Sequence, residues 1–402
     1  MVDMSVNEEL VEMFAGLLED SHLTTMEQLP TTVWRRAERA GFRHVAIYVV
    51  DLQQEVLRLL VRDGVRGGED PEYSEAALPI NGTLAGRAFE TLTPLSEAGS
   101  ELDRWWVPLQ DGAERLGVLR VDTEDSGEET LRAIRALAVM IAMMVVVKRA
   151  YSDSFARLCR TRPMSVAAEL QWNLMPPIEF ANTQVTVSAV LEPAYEVGGD
   201  AFDYGIDNDV AHVAVFDAMG HDVTAGLAAN LAVASYRNSR REGASLLETG
   251  EVIEATLVEH LGAIRYVTAL IADLDLKTGS LKWVSHGHHP PVRIRGGRLV
   301  DLPACQPGSP LGVDLGMGAT VCEEQLHPGD RLVLFTDGIT ETHNPGGDEF
   351  GLDRFVNFIV RHNAEGLPIP ETLRRLIHSI LDYHGGTLQD DATVLFLEWH
   401  GP

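Results

Sequence analysis

The sequence predicts a mixed α/β chain of the α+β kind, with helix layers packed on antiparallel sheets in two folded parts joined by a helical stretch. Three observations carry this. In the C-terminal half, strand-like runs come before a helical pair and more strands follow, rather than alternating as βαβ units. In the N-terminal third, two hairpin patterns stand among helical segments. Between the two, residues 128–159 keep helical spacing, with no strong breaker until Pro163.

The 402 residues, 45% of them hydrophobic, suffice for two or three domains with real cores. A net charge of −28 argues against nucleic acid, which needs a basic footprint, and disfavours an anionic membrane surface. Such a chain repels anionic substrates at long range, so a phosphate site would need local cations, which points to bound metal. Cys159, Cys305 and Cys322 are widely spaced. That spacing argues against a disulfide framework or a cysteine zinc site and fits a reducing cytosol. The acidic N-terminus, MVDMSVNEELVEMF, lacks the basic-then-apolar order of a signal peptide. The longest apolar run, Ala136 to Val147, is twelve residues, short of a bilayer span. A soluble, cytoplasmic protein is expected.

In order along the chain, residues 8–20 and 28–40 have helical spacing, with Leu10, Met13, Phe14 and Leu17 on one face. His44 to Val50 and Val56 to Val61 read as strands joined by a hairpin turn at Asp51. A polar, Gly-rich loop follows at 63–73, then a short capped helix within Ile80 to Phe89. Trp105 to Leu109 and Leu116 to Val121 form a second hairpin around Asp111-Gly112. This order, and above all Trp106-Val-Pro-Leu109 followed by Leu116-Gly-Val-Leu-Arg-Val121, resembles a GAF domain over 20–148. The resemblance implies a small sensory fold that binds a small-molecule ligand or another copy of itself. With no cysteine before Cys159, a thioether-linked bilin is excluded; His22 and His44 read as solvated or partly satisfied side chains rather than ligands.

From Glu128 to Cys159, Ile134, Leu137, Ile141, Met144, Tyr151, Phe155 and Leu158 fall on heptad positions, interrupted by Lys148. Two readings stay open: a helix packed on its own sheet, or a coiled coil that makes the protein a homodimer. Past Pro163, a helix over Ser165 to Met175 ends at Pro176-Pro177. It resembles the switch helix that precedes the catalytic domain of bacterial sporulation stage II E type phosphatases; a plain linker helix is the alternative. The expected domains are therefore 1–148, a helical linker or switch at 149–177, and 178–399.

In the C-terminal half, Val185–Leu191, Val213–Asp217, Thr268–Asp275, Leu281–Ser285, Arg331–Thr336 and Thr393–Glu398 read as strands. Residues 221–240, 246–261, 353–363 and 370–382 read as helices. Five turns carry acids or histidines: Glu196-Val-Gly-Gly199-Asp200, Phe216-Asp217-Ala218-Met-Gly220, Ser285-His-Gly-His-His-Pro-Pro291, Phe335-Thr-Asp337-Gly and Gln389-Asp390-Asp391-Ala-Thr393. At least three of the acids sit at strand ends, where packed sheets could gather them at one rim. An acid there must be solvated, paired or on a metal. Oxygen ligands without cysteine suit Mg²⁺ or Mn²⁺ rather than structural zinc.

Taken in order, E-V-G-G-D, F-D-A-M-G-H, Y-V-T-A-L, G-H-H-P-P, L-F-T-D-G-I-T-E and D-D-A-T resemble the metal-dependent protein phosphatases of that sporulation type, relatives of the eukaryotic 2C-type serine/threonine phosphatases. The resemblance covers about 165–399. It implies an αββα sandwich and a site for two Mn²⁺ or Mg²⁺ ions. It also implies that Asp200 and Asp217 are the acids on the metals, with Asp217 bridging, Ala218 offering its carbonyl, and Asp337 and Asp390 holding the second ion. Asp203, Asp391 and Gly199 would support these ligands from behind. Two close cations make a shared water nucleophilic near neutral pH, so no covalent phospho-enzyme is needed.

The eukaryotic relatives carry a histidine two residues after the bridging acid, where this chain has Met219, as the bacterial type commonly does. His221 is then a candidate general acid; a helix-start histidine in a turn is the simpler reading. The Gly287–Pro291 loop reads as structural. The resemblance further implies a phosphorylated anti-anti-sigma (STAS-domain) protein as substrate, under control of the GAF domain. A metal-less scaffold that binds regulatory partners is the competing class, opposed by the acids at 200, 217, 337 and 390.

Overall fold

The computed structural model describes residues 3–61, 76–262, 265–313, 315–344, 346–364, 367–384, 388 and 390–402. It forms two compact units, Met1–Pro163 and Met164–Pro402. The loop expected at 63–73 lies outside the described residues.

The first unit runs α1 (Asp3–Ser21), α2 (Leu29–Arg39), β1 (Arg43–Val50), β2 (Val56–Leu59), β3 (Ala77–Pro79), α3 (Leu84–Thr91), β4 (Leu95–Glu97), β5 (Asp103–Asp111), β6 (Glu114–Thr123), α4 (Glu128–Arg149) and α5 (Asp153–Cys159). Its strands make one antiparallel sheet in the order β3-β2-β1-β6-β5-β4. The period of two divides each strand between two cores. Val45, Ile47 and Val49 of β1 join α1, α2 and α4 in one, whereas Ala46 and Tyr48 join Ala85, Ala88 and Phe89 around α3 in the other. Asp51 sets the first hairpin, its Oδ1 accepting the Glu55 and Val56 amides at 2.8 Å each. Thr83 caps α3 by accepting the Gly86 amide.

The heptad reading of 134–158 resolves in favour of the sheet. Ile134, Leu137, Ile141 and Met144 are all buried in the core of their own unit, and α4 stops at Arg149. Lys148, the interruption, is buried because its Nζ donates to the Ser21 carbonyl at 2.8 Å, closing the end of α1. A different stripe, Val139, Met143 and Val147, remains exposed. With 22 residues and an 18-residue window of mean hydropathy 2.0, α4 is long and apolar enough by composition to cross a membrane, contrary to the shorter run read from sequence. Its buried face marks it as a core helix of this unit.

The second unit runs α6 (Val166–Leu174), β7 (Glu179–Ala181), β8 (Val185–Glu192), β9 (Asp200–Asp207), β10 (Val210–Ala218), α7 (Val223–Arg241), α8 (Leu246–Leu261), β11 (Val267–Asp275), β12 (Ser280–His286), β13 (Val292–Arg295), β14 (Arg298–Val300), β15 (Cys322–Gln325), β16 (Arg331–Phe335), α9 (Asp337–Thr340), α10 (Leu352–Ala364), α11 (Ile369–His384) and β17 (Ala392–Trp399). The stretch expected to be a linker is thus divided: α5 lies in the first unit and α6 in the second.

Two antiparallel sheets, β15-β12-β11-β10-β9 and β14-β13-β16-β17-β8-β7, pack face to face. Leu395 and Leu397 of β17, with Leu332 and Leu334 of β16, meet Val213, Val215 and Leu270 in the core between the sheets. Their alternating neighbours Val394, Phe396, Val333 and Phe335 turn to α10 and α11. On the other side Phe216 packs edge-on against Tyr236 of α7, ring centres 5.8 Å apart. The order of layers is helices, sheet, sheet, helices. Asp222 starts α7 by accepting the Ala225 amide at 2.8 Å, and Ser245 with Glu248 forms a capping box on α8.

One expectation about cysteine fails. Cys305 and Cys322 are joined as a disulfide, Cα atoms 6.1 Å apart, because the irregular segment after β14 folds back to the start of edge strand β15. Cys159 is a buried thiol, pushed up to about 12 by burial.

Candidate metal centre

Strand β10 is buried on both faces from Val213 to Phe216, so its first acid, Asp217, appears where the strand reaches the rim. Directly opposite in register stands Asp200, the first residue of β9. Asp200 is buried, and its Oδ2 accepts the Thr336 hydroxyl at 2.6 Å. Thr336 belongs to the other sheet, at the end of β16. It also accepts the Thr393 amide of β17 at 2.9 Å, so one hydroxyl ties Asp200 to two strands of the facing sheet. Asp337 follows at once, at the start of α9. Asp391 immediately precedes β17; its Oδ2 accepts the Gly199 amide, and its own amide donates to Asp390 Oδ1 at 3.0 Å.

These acids feel one another. Burial, then Asp217 and Asp391, hold the Asp200 carboxyl well above the usual carboxylate range. Burial, then Asp337, Asp390 and Asp391, push Asp217 up to about 7. Asp391 rises to about 6, mainly by burial and against the Gly199 amide. Asp337 is raised by burial and then by Asp390, while His289 draws it back. Five carboxylates from both sheets therefore share one end of the sandwich.

Glycine is required beside them. A Cβ on Gly199 would lie 2.4 Å from the carbonyl oxygens of both Ala218 and Gly220. A Cβ on Gly198 would lie 2.5 Å from the Asp391 carboxylate carbon, and one on Gly338 would overlap the Asp391 carbonyl. Gly199→Ala is expected to cost about 1–3 kcal/mol by overpacking and to weaken cation binding. Thermal unfolding with and without Mn²⁺ measures both.

The donor chemistry fits hard divalent cations: carboxylate oxygens from Asp200, Asp217, Asp337 and Asp390, plus carbonyls at 218 and 220, with no thiol among them. As the side chains stand, no three acid, imidazole or thiol groups among the described residues are close enough to hold one ion together. Gathering them takes side-chain rotation, which mutual repulsion opposes and a cation would favour. A pH effect follows. Asp217 and Asp391 bind protons more tightly folded than unfolded, where a carboxylate titrates near ~4. Chelator-treated protein should therefore lose stability as pH rises from about 4 to 7. Melting temperatures across that range should fall, Mn²⁺ should reverse the fall, and Asp217→Asn should flatten it.

Two expected residues behave otherwise. Asp203 does not support the cluster. It lies an odd number of positions from Asp200 on β9, so its side chain faces α7, buried against Arg237 at 2.5 Å and Arg240 at 3.2 Å. His221 is exposed in the turn before α7; nothing in its placement sets it over Asp217. Other residues of the site have no role that the sequence motifs reveal. Thr268 stands opposite Asp217 in register, His288 is buried beside it, and His289 stacks on Phe335 at 4.4 Å with both ring nitrogens buried and unpartnered. Gln171 of α6 donates to the Asp200 carbonyl, and Arg265 holds the Met219 carbonyl at 2.7 Å and Asp222 at 2.6 Å. Hydroxyl and imidazole residues at strand ends are the one clue to them in the sequence.

Residues 207–400, most of the second unit, match the family model of Stage II sporulation protein E (SpoIIE). The match takes in Asp217, Asp337 and Asp390 and begins after Asp200. The chain is similar to phosphoserine phosphatase RsbU of Bacillus subtilis (strain 168), 21% identical over 238 residues, covering 58% of this chain and 69% of that one. It is similar to protein IcfG of Synechocystis sp., 21% identical over 256 residues; 56% of this chain aligns, but only 40% of that protein. Among solved structures, the SiaA-PP2C domain of Pseudomonas aeruginosa matches with TM-score 0.49 and 21% identity, over 58% of this chain and 94% of that one. The match to the family model falls within the second unit.

Proposed function

We propose that this protein is a metal-dependent protein serine/threonine phosphatase acting on a phosphorylated regulatory protein. The observation that carries the reading is the set of carboxylates gathered from both sheets at one rim, Asp200 and Asp391 buried, Asp217 and Asp337 half-buried and Asp390 exposed, with the carboxyls of Asp200, Asp217, Asp337 and Asp391 raised by burial and by their neighbours. Asp217, half-buried, would be the acid shared by two cations, with Asp200 a ligand of one and Asp337 and Asp390 of the other. Mn²⁺ or Mg²⁺, when bound, would supply a nucleophilic water near neutral pH and neutralise phosphoryl charge. Thr336 fixes the Asp200 carboxylate, the Gly199 amide fixes Asp391, and the glycines leave the Ala218 carbonyl room to face the site. The reaction breaks the ester P–O bond of phosphoserine or phosphothreonine and returns the hydroxyl, with no covalent intermediate on the chain.

The finer reading follows the relatives. The substrate is a phosphorylated anti-anti-sigma (STAS-domain) protein, and the first unit is a GAF domain whose ligand controls the second. Its six-stranded sheet with helices on both faces supports that reading. A homodimer through α4 would have to use a face other than Ile134, Leu137, Ile141 and Met144, which are buried; the exposed Val139, Met143 and Val147 stripe is the surface left on α4. The cytoplasm is the proposed location. The test is the full chain with Mn²⁺, given a serine-phosphorylated STAS-domain protein and a generic phosphoserine peptide. Faster release from the STAS-domain protein is expected. Equal rates would remove the substrate assignment, and no release from either would favour a metal-less scaffold.

A further inference from the structure

His288 sits in the Gly287–Pro291 loop that sequence alone reads as structural, and it is 6% exposed. Its Nε2 lies 2.9 Å from the carbonyl oxygen of Phe335, and its Nδ1 lies 2.8 Å from the hydroxyl of Thr268. A carbonyl only accepts, so the ring proton resides on Nε2 and Nδ1 presents a lone pair. Burial holds the ring far below the usual imidazole range, at about 3, so it carries one proton only. The Thr268 hydroxyl then donates to His288. Asp217 Oδ2, at 3.5 Å, is the longer and weaker of the two acceptors within reach of that single hydrogen. The imidazole thus competes with Asp217 for the Thr268 hydroxyl hydrogen at the shorter distance, leaving that carboxylate freer to take a cation.

The same ring joins two strands from different sheets. Thr268 pairs in register with Asp217 on the first sheet. Phe335 ends β16 on the second sheet, two residues before Asp337. A second contact reinforces the crossing: the His289 ring lies tilted against His288, at 4.3 Å, and stacks on Phe335, at 4.4 Å. Gly287, at φ +69°, makes the turn that aims both rings inward, and the two prolines after them stiffen its exit.

We propose that His288 is a positioning residue for the cation site: with Thr268 it clamps the strand end bearing Asp217 to the strand that delivers Asp337, and so sets the separation of the two ends of the site. The inference rests on the phosphatase reading and deepens it. It assigns His288 no contact with substrate and no proton transfer.

The experiment is calorimetric titration of the metal-free full chain with Mn²⁺, alongside melting temperatures taken in chelator. Wild type is expected to take up two ions. Thr268→Val, which keeps shape and removes the hydroxyl, should weaken uptake of one ion by about 10–100-fold, and Thr268→Ser should restore it. His288→Ala should match Thr268→Val if it folds; the threonine pair carries the test if it does not. A purely structural role would lower the melting temperature in chelator and leave the Mn²⁺ affinity of the folded protein unchanged. Wild-type affinities in both Thr268→Val and His288→Ala would overturn the clamp while leaving the phosphatase reading standing. No Mn²⁺ uptake by wild type would overturn that reading and the clamp with it.

Discussion

Asp217→Asn is expected to lower hydrolysis of a phosphoserine peptide by on the order of 10³-fold or more, through kcat rather than KM. The Asp217 carboxyl is raised by Asp337, Asp390 and Asp391 and in turn raises Asp200, so its charge is felt across the cluster. Amide in place of carboxylate removes one charge and one ligand oxygen without changing volume. The folded chain should survive, because the variant relieves a buried like-charge repulsion. In chelator at pH 7.5 the variant should therefore melt higher than wild type, while gaining less from Mn²⁺. Loss of activity together with gain of metal-free stability is a pairing that a purely structural aspartate would not produce. Steady-state kinetics and paired melting curves read the two effects.

Asp203→Asn should do the reverse. The Asp203 carboxylate is fully buried between Arg237 and Arg240 of α7. Removing one partner of a buried ion pair leaves guanidinium charge without its counterion and costs about 3–5 kcal/mol. For a unit of this size that lowers the melting temperature by roughly 10 °C. Because the side chain faces the helix layer and not the rim, Mn²⁺ affinity and kcat of the protein that remains folded should stay near wild type. A large loss of Mn²⁺ affinity with little change in melting temperature would return Asp203 to the cation site.

The two variants also mark how far the sequence can be read. Asp217, Asp337 and Asp390 each lie next to an apolar run of strand length, and that pattern alone puts them at strand ends. Asp200 reads as part of a turn, although it begins β9. The run Asp200-Ala-Phe-Asp-Tyr-Gly-Ile-Asp207 holds three acids and a glycine and hides its period of two. Without that strand Asp203 falls on the wrong face, since residues at odd spacing point apart only once the strand is known. The heptad on α4 is a true periodicity with a different partner; apolar spacing reports a buried face and is silent on what buries it. Long-range pairings are beyond reach for the same reason. Thr336 to Asp200 and His288 to Phe335 join residues 136 and 47 positions apart, and the pairing of Cys305 with Cys322 depends on the path of an irregular segment.

The central claim is that the shared rim of acids binds divalent cations that make the chain a phosphatase. Its most direct test is the rate of phosphate release from a phosphoserine peptide by the full chain, measured as Mn²⁺ is titrated into chelator-treated protein. The account predicts no release without metal, and a rise that saturates with the same dependence as calorimetric uptake of two ions. Release that persists in chelator, or uptake of two ions with no release at any Mn²⁺ concentration, would contradict it.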